Sequence, residues 1–207
     1  MKEEHARAAT AVSGKGSSLV RKGLTWTLGV LLVLAVTLFV LDRTWLLVSI
    51  GPGGASEDPT IPACDGRALA EGFTYKFRDP RRGELVIFRA RGEIGSTIVP
   101  DPEGGTPIAK RVVGVPKDQV ESRSGRVYVN GVKFDDIATK SFAKVDLGSG
   151  EYFVLGDNRS YSQDSRDFGP VPGDAIVGRV FLVYWPLGDF GGPESRRAGQ
   201  PPGQIDC

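Results

Sequence analysis

Residues 24–41 read LTWTLGVLLVLAVTLFVL, without a charge among them. An apolar run of that length is long enough to cross a bilayer as a helix, and it constrains everything that follows. A water-soluble domain would have to cover such a segment on all sides, which is out of scale for a chain of 207 residues. A cleaved leader needs small residues close behind its apolar core, yet Gly53-Gly54-Ala55 lies well beyond Leu41. Trp26 and Trp45 fall near the two ends of the run, where aromatic rings sit at a membrane interface. Lys2, Arg7, Lys15, Arg21 and Lys22 all precede it, so the positive-inside rule places the N-terminus in the cytoplasm and the rest outside. The expected organisation is a disordered cytoplasmic tail over residues 1–23, a transmembrane anchor over 24–44, an extracytoplasmic domain over 45–187 and a flexible tail over 188–207. Such a chain is a single-pass protein of the cell membrane, with membrane lipid as one partner.

Beyond the anchor the pattern changes to short apolar runs between turn residues. Strands are expected over 73–78, 84–89, 108–115, 152–155 and 176–185, and a hairpin over 126–134 with Asn130-Gly131 at its turn. Residues 51–68 and 90–107 read as irregular, and 135–150 carry no clear pattern. No second helical period appears, so the domain is expected to be all-β.

Composition excludes several chemistries. The net charge is +1 and no basic, aromatic-studded face is visible, so nucleic acid is not an expected partner. The only histidine is His5, in the charged N-terminal stretch. A Ser-His-Asp triad or a histidine metal site inside the domain is therefore not available. Cys64 and Cys207 match no zinc spacing. On the oxidising side of a membrane they either close one bridge or remain two free thiols.

A serine nucleophile without histidine needs another base, and lysine serves when burial lowers its pKa from about 10.4. Lys110 lies in the apolar run IAKRVVGV and is either partly buried or an edge lysine facing solvent. A second unusual stretch is GDNRSYSQDSRDFGPV at 156–171, between two apolar runs. Asp157, Asp164 and Asp167 stand there among Arg159 and Arg166, which builds either a rigid polar scaffold or an ordinary solvated loop.

The stretch at 156–171 resembles the most diagnostic box of the bacterial type I signal peptidases, membrane-anchored Ser/Lys endopeptidases that remove signal peptides from exported proteins. The matching residues are Gly156-Asp157-Asn158-Arg159, Ser162, Asp164-Ser165-Arg166, Phe168-Gly169 and Val171. KRVVGVPKD at 110–118 is similar to the box that holds the general base, and Ser56-Glu57-Asp58-Pro59-Thr60 to the nucleophile pattern Ser-Met-x-Pro-Thr. The resemblance implies a signal-peptidase-like, β-rich catalytic domain on a single N-terminal transmembrane helix. It implies Ser56 as nucleophile and Lys110 as base, with the Ser162 hydroxyl orienting the lysine amine. It further implies ion pairs of Asp157 with Arg111 and of Asp164 with Arg166. Ile61, Ile108 and Ala109 are implied to line pockets for small substrate side chains, and the Ser56 backbone N–H to hold the oxyanion. Substrates would be signal-peptide-bearing preproteins, bound as an added strand. No metal or organic cofactor is implied.

The pattern departs at one position: Glu57 stands where the family carries methionine. A fixed negative charge beside Lys110 tends to raise the lysine's pKa and weaken it as a base. The alternative that follows is a catalytically impaired, membrane-anchored β-domain that binds exported chains. A self-cleaving repressor of the Ser/Lys type is disfavoured by the apolar run and by the lack of a helix-turn-helix pattern.

Overall fold

The computed structural model describes residues 24–39, 48–50, 55–91, 99–100 and 105–193. The chain divides into two units, Met1–Thr44 and Trp45–Cys207. In the first, residues 24–39 form a helix, α1, whose large apolar side chains from Leu24 to Phe39 are exposed. The hydroxyls of Thr27 and Thr37 donate back to the carbonyls of Leu24 and Val33, at 2.9 and 2.8 Å. Their polarity is thus absorbed by the helix's own backbone. Among the described residues no helix is long and apolar enough to cross a membrane. The expected tail over 1–23 and the end of the anchor, 40–44, lie outside the described residues.

The second unit is built almost wholly from strands, as its alternating sequence demands. They are β1 (Val48–Ile50), β2 (Arg67–Glu71), β3 (Leu85–Arg91), β4 (Val99–Pro100), β5 (Thr106–Gly114), β6 (Gln119–Arg123), β7 (Arg126–Val129), β8 (Val132–Lys133), β9 (Val145–Asp146), β10 (Glu151–Leu155), β11 (Val171–Pro172) and β12 (Ile176–Trp185). A four-residue helix, α2 (Ser165–Phe168), precedes β11. The larger sheet runs β1-β2-β12-β3-β5-β10-β11 with β4 on β3, and the smaller runs β8-β7-β6-β9. All described pairings are antiparallel.

The period-two alternation divides the core. On β3, Val86, Phe88 and Ala90 pack with Val112, Val154 and Ile176, while Leu85 and Ile87 pack with Ile61, Ala68, Ala70, Val180 and Val183. A third cluster joins the two sheets: Val113, Phe153 and Leu155 meet Val120, Val127, Val129 and Leu147, with the Phe142 ring stacked on Phe153 at 5.3 Å.

The expected hairpin at Asn130-Gly131 forms as β7 and β8, with both turn residues at positive φ (51° and 78°). The expected strand over 73–78 does not form. Glu71 Oε2 accepts from the backbone N–H of Phe73 (2.7 Å) and Thr74 (2.8 Å), which ends β2 and turns residues 74–76 into one 3-10 turn. The irregular stretch 51–68 instead carries the start of β2. Residues 187–189 form another turn, and Gly191 pairs with Val183 on β12, so the chain just past β12 is tied to the sheet. The rest of the expected tail, 194–207, lies outside the described residues.

Candidate active site

The segment carrying Ser56 is a single 3-10 turn, Ala55–Glu57, continued by a bond from the Ile61 N–H to the Glu57 carbonyl at 2.9 Å. Its position is fixed from the loop at 156–171. The Asn158 N–H donates to the Ser56 carbonyl at 3.0 Å. Gly156 lies closer still: a Cβ there would stand 2.7 Å from the Ser56 carbonyl oxygen and 2.2 Å from Ser162 Oγ. Only glycine lets the loop approach this near.

Lys110 reaches the same point from β5. Cross-strand pairs with Val86 and its neighbours bury it to 2% exposure, so of the two sequence alternatives the buried one holds. Its Nζ donates to Ser56 Oγ at 2.7 Å and to Glu57 Oε1 at 2.9 Å. Glu57 is also buried, and its Oε2 has no hydrogen-bond partner among the described residues. Burial pushes the Glu57 carboxyl up to about 7, with the positive charge of Lys110 pulling the other way and the negative charge of Asp157 adding to the rise.

The polar loop is a scaffold rather than a solvated surface. Asp157, Asn158, Arg159, Ser162, Asp164 and Ser165 are all buried. Asp157 accepts from Arg111 Nε (2.6 Å) and NH2 (2.5 Å) and from Thr60 Oγ1 (2.5 Å), while Arg111 NH1 donates to the Gly83 carbonyl at 2.6 Å. Burial alone would raise the Asp157 carboxyl, but the hydrogen bonds and charge of Arg111 outweigh it and hold it below the usual carboxylate range. Asp164 accepts from the Gly156 N–H (3.0 Å) and from Arg166 Nε and NH2 (2.7 and 2.8 Å). It also caps α2 reciprocally with Asp167. Ser165 Oγ accepts from the Val154 N–H at 2.9 Å, which locks the loop to β10.

The expected site residues thus converge from three places in the sequence. Lys110 meets Ser56, Arg111 pairs with Asp157, and Arg166 pairs with Asp164. Ile61 is buried against Leu85 and Ile87, and Ile108 and Ala109 are half-buried beside Lys110 on β5. Ser162 differs in its partner: its hydroxyl donates to the Gln163 carbonyl at 3.3 Å, and the Lys110 amine goes to Ser56 and Glu57. Thr60 and Asn158 belong to the matching sequence patterns but carried no expected role, and Gly83 and Asp135 stand outside those patterns. Asp135 pairs with Arg159 NH2 at 2.5 Å from a stretch whose sequence has no period to read. The Asn158 side chain is fully buried, and its amide finds no partner among the described residues. Cys64, a few residues past this turn, is disulfide-bonded, which selects the bridged alternative for it; Cys207 lies outside the described residues.

A serine hydroxyl 2.7 Å from a buried lysine amine is equipped for nucleophilic attack on a carbonyl. Comparison with known proteins points the same way. Residues 25–185 match the family model described as signal peptidase, peptidase S26. The chain is 36% identical over 79% of its length to "Probable signal peptidase I-2" of Synechocystis sp., covering 75% of that protein. It is 31% identical over 87% of its length to signal peptidase I of Leptolyngbya laminosa, covering 89% of it. To signal peptidase IB of Staphylococcus aureus it is 32% identical, over 81% of this chain and 92% of that one.

Proposed function

Since the chain belongs to the signal peptidase family, peptidase S26, we propose that Ser56 and Lys110 are the catalytic pair with which it cuts. The protein is a serine endopeptidase that removes signal peptides. The observation that carries the assignment of the pair is the 2.7 Å contact between Lys110 Nζ and Ser56 Oγ. Ser56 Oγ attacks the scissile carbonyl as Lys110 takes its proton, and the resulting ammonium protonates the leaving amine. Water then releases the acyl group from Ser56 by the same route in reverse. The Ser56 N–H holds the oxyanion. Asp157–Arg111 and Asp164–Arg166 position Ser56 and the loop without touching the reacting atoms.

The substrate is a signal-peptide-bearing preprotein. β10 pairs with β5 from Gly114 to Arg111, and among the described residues that pairing does not extend to 106–110. An extended substrate added along that edge runs past Lys110 towards Ser56. Ile61, Ile108 and Ala109 line shallow pockets there that suit small side chains. The helix α1 belongs to a membrane anchor over 24–44, with the N-terminus in the cytoplasm and the peptidase domain outside, where exported chains emerge.

The test is cleavage of a peptide containing Ala-x-Ala by the purified full-length protein. The parent protein cuts after the second alanine and Ser56→Ala does not. Equal cleavage by Ser56→Ala would refute the assignment.

A further inference from the structure

Where the family pattern has methionine, this fold buries a carboxyl group directly on the base. Glu57 Oε1 lies 2.9 Å from the Lys110 Nζ that is itself 2.7 Å from Ser56 Oγ. Both side chains are almost completely removed from water, at 5% and 2% exposure. Asp157 and Arg111 also face Glu57, but they satisfy each other in a two-bond ion pair. The remaining oxygen of Glu57, Oε2, is buried without a donor among the described residues. An ionised carboxylate pays heavily for an unsatisfied buried oxygen, and a neutral acid pays much less. Shifting one proton from Nζ to Oε1 discharges both groups and leaves the net charge of the site unchanged.

We propose that Glu57 accepts the Lys110 proton and so frees the amine to act on Ser56, making the site a Ser56–Lys110–Glu57 relay. This rests on the reading of Ser56 and Lys110 as the catalytic pair. A lysine ammonium has no lone pair and must lose a proton before it can accept one. The Nζ–H bond towards Glu57 breaks and an Oε1–H bond forms. Rotation about Cε–Nζ then turns the lone pair to Ser56. The Ser56 O–H bond breaks, Nζ–H re-forms, and Oγ bonds to the scissile carbon. The ammonium passes that proton to the leaving amine and is again a free base for hydrolysis of the acyl group. Glu57 keeps its proton through the cycle. A seated substrate excludes water, which favours the uncharged arrangement over the ion pair. Burial has already raised the carboxyl to about 7, so Glu57 is a good proton acceptor under neutral conditions.

The fixed-charge role expected from sequence, in which Glu57 pins the ammonium and slows the enzyme, has the opposite sign. The experiment is the pH dependence of kcat/KM on the Ala-x-Ala peptide, for full-length parent protein, Glu57→Gln, Glu57→Met and Glu57→Asp, each checked for folding by near-ultraviolet circular dichroism. The relay predicts that the Gln and Met variants move the acid limb up by about one pH unit or more, roughly a tenfold loss at a pH on that limb. Glu57→Asp, which keeps a carboxyl group, holds the limb close to the parent's. If the Gln variant does not fold, the Met variant, carrying the family's own residue, decides alone. An acid limb that moves down, faster cleavage in the variants, or no change at all overturns the relay. Undiminished cleavage by Ser56→Ala in the same assay is a separate failure, that of the catalytic pair itself.

Discussion

Arg111 is the largest completely buried side chain among the described residues, and it is tolerated because Asp157 and the Gly83 carbonyl satisfy its guanidinium. Removing the carboxylate leaves that charge uncompensated. Asp157→Asn is expected to cost about 3–5 kcal/mol in urea unfolding near neutral pH. The sign with pH follows from the depressed Asp157 carboxyl. Its contribution is present above the ordinary carboxylate value, about 3.9, and is lost as pH falls through the lower folded value. Glu57 has the opposite sign, because its carboxyl is raised to about 7. Its contribution is full below the unfolded value and fades as pH rises through about 7. The stability of Glu57→Gln relative to the parent should therefore improve as pH is raised from about 5 to about 8, measured by urea midpoints across that range. Gly156→Ala, which drives a methyl group into Ser162 and the Ser56 carbonyl, should lower kcat/KM by about 100-fold or more. A kcat/KM within about threefold of the parent would mean that the loop yields without moving Ser56. At this scale the sequence was informative where residue type is demanding. A lone histidine excluded one kind of base, and the family resemblance implied the pairs Asp157–Arg111 and Asp164–Arg166 that the structure contains. The sequence was silent on Gly83, whose role arises from a backbone carbonyl that any segment offers, and it placed Thr60 in a motif without naming Asp157 as its partner.

Elements were legible where alternation and turn chemistry agree. Asn130-Gly131 between apolar pairs set the β7–β8 hairpin, and the apolar run at 176–185 became β12 without a change of boundary. Residues 73–78 also alternate, but the Glu71 carboxylate captures two backbone donors there, a local competition that periodicity does not register. β2 was hidden for a related reason. Its five residues, RALAE, are mostly small or charged, and only pairing with β1 and β12 makes Ala68 and Ala70 core residues. The joint between the sheets rests on Phe153, packed among Val113, Val120, Val127 and Leu147. Phe153→Ala should cost about 3–5 kcal/mol in thermal or urea unfolding. A loss below about 1 kcal/mol would mean that the smaller sheet contributes little to the fold of the larger one.

For the molecule as a whole, the proposed topology puts the peptidase domain on the side of the membrane where exported chains emerge. Protease added to intact cells should degrade the domain beyond residue 50 and spare it only if the orientation is reversed. Catalysis is proposed to turn on a buried lysine that activates Ser56, in a chain whose one histidine lies far from the domain in sequence. The most direct measurement is kcat/KM on the Ala-x-Ala peptide for Lys110→Ala and His5→Ala, with folding of both verified. Lys110→Ala should lose at least about 100- to 10,000-fold and His5→Ala nothing. A folded Lys110→Ala protein that cleaves at close to the parent rate would overturn the assignment of Lys110 as base.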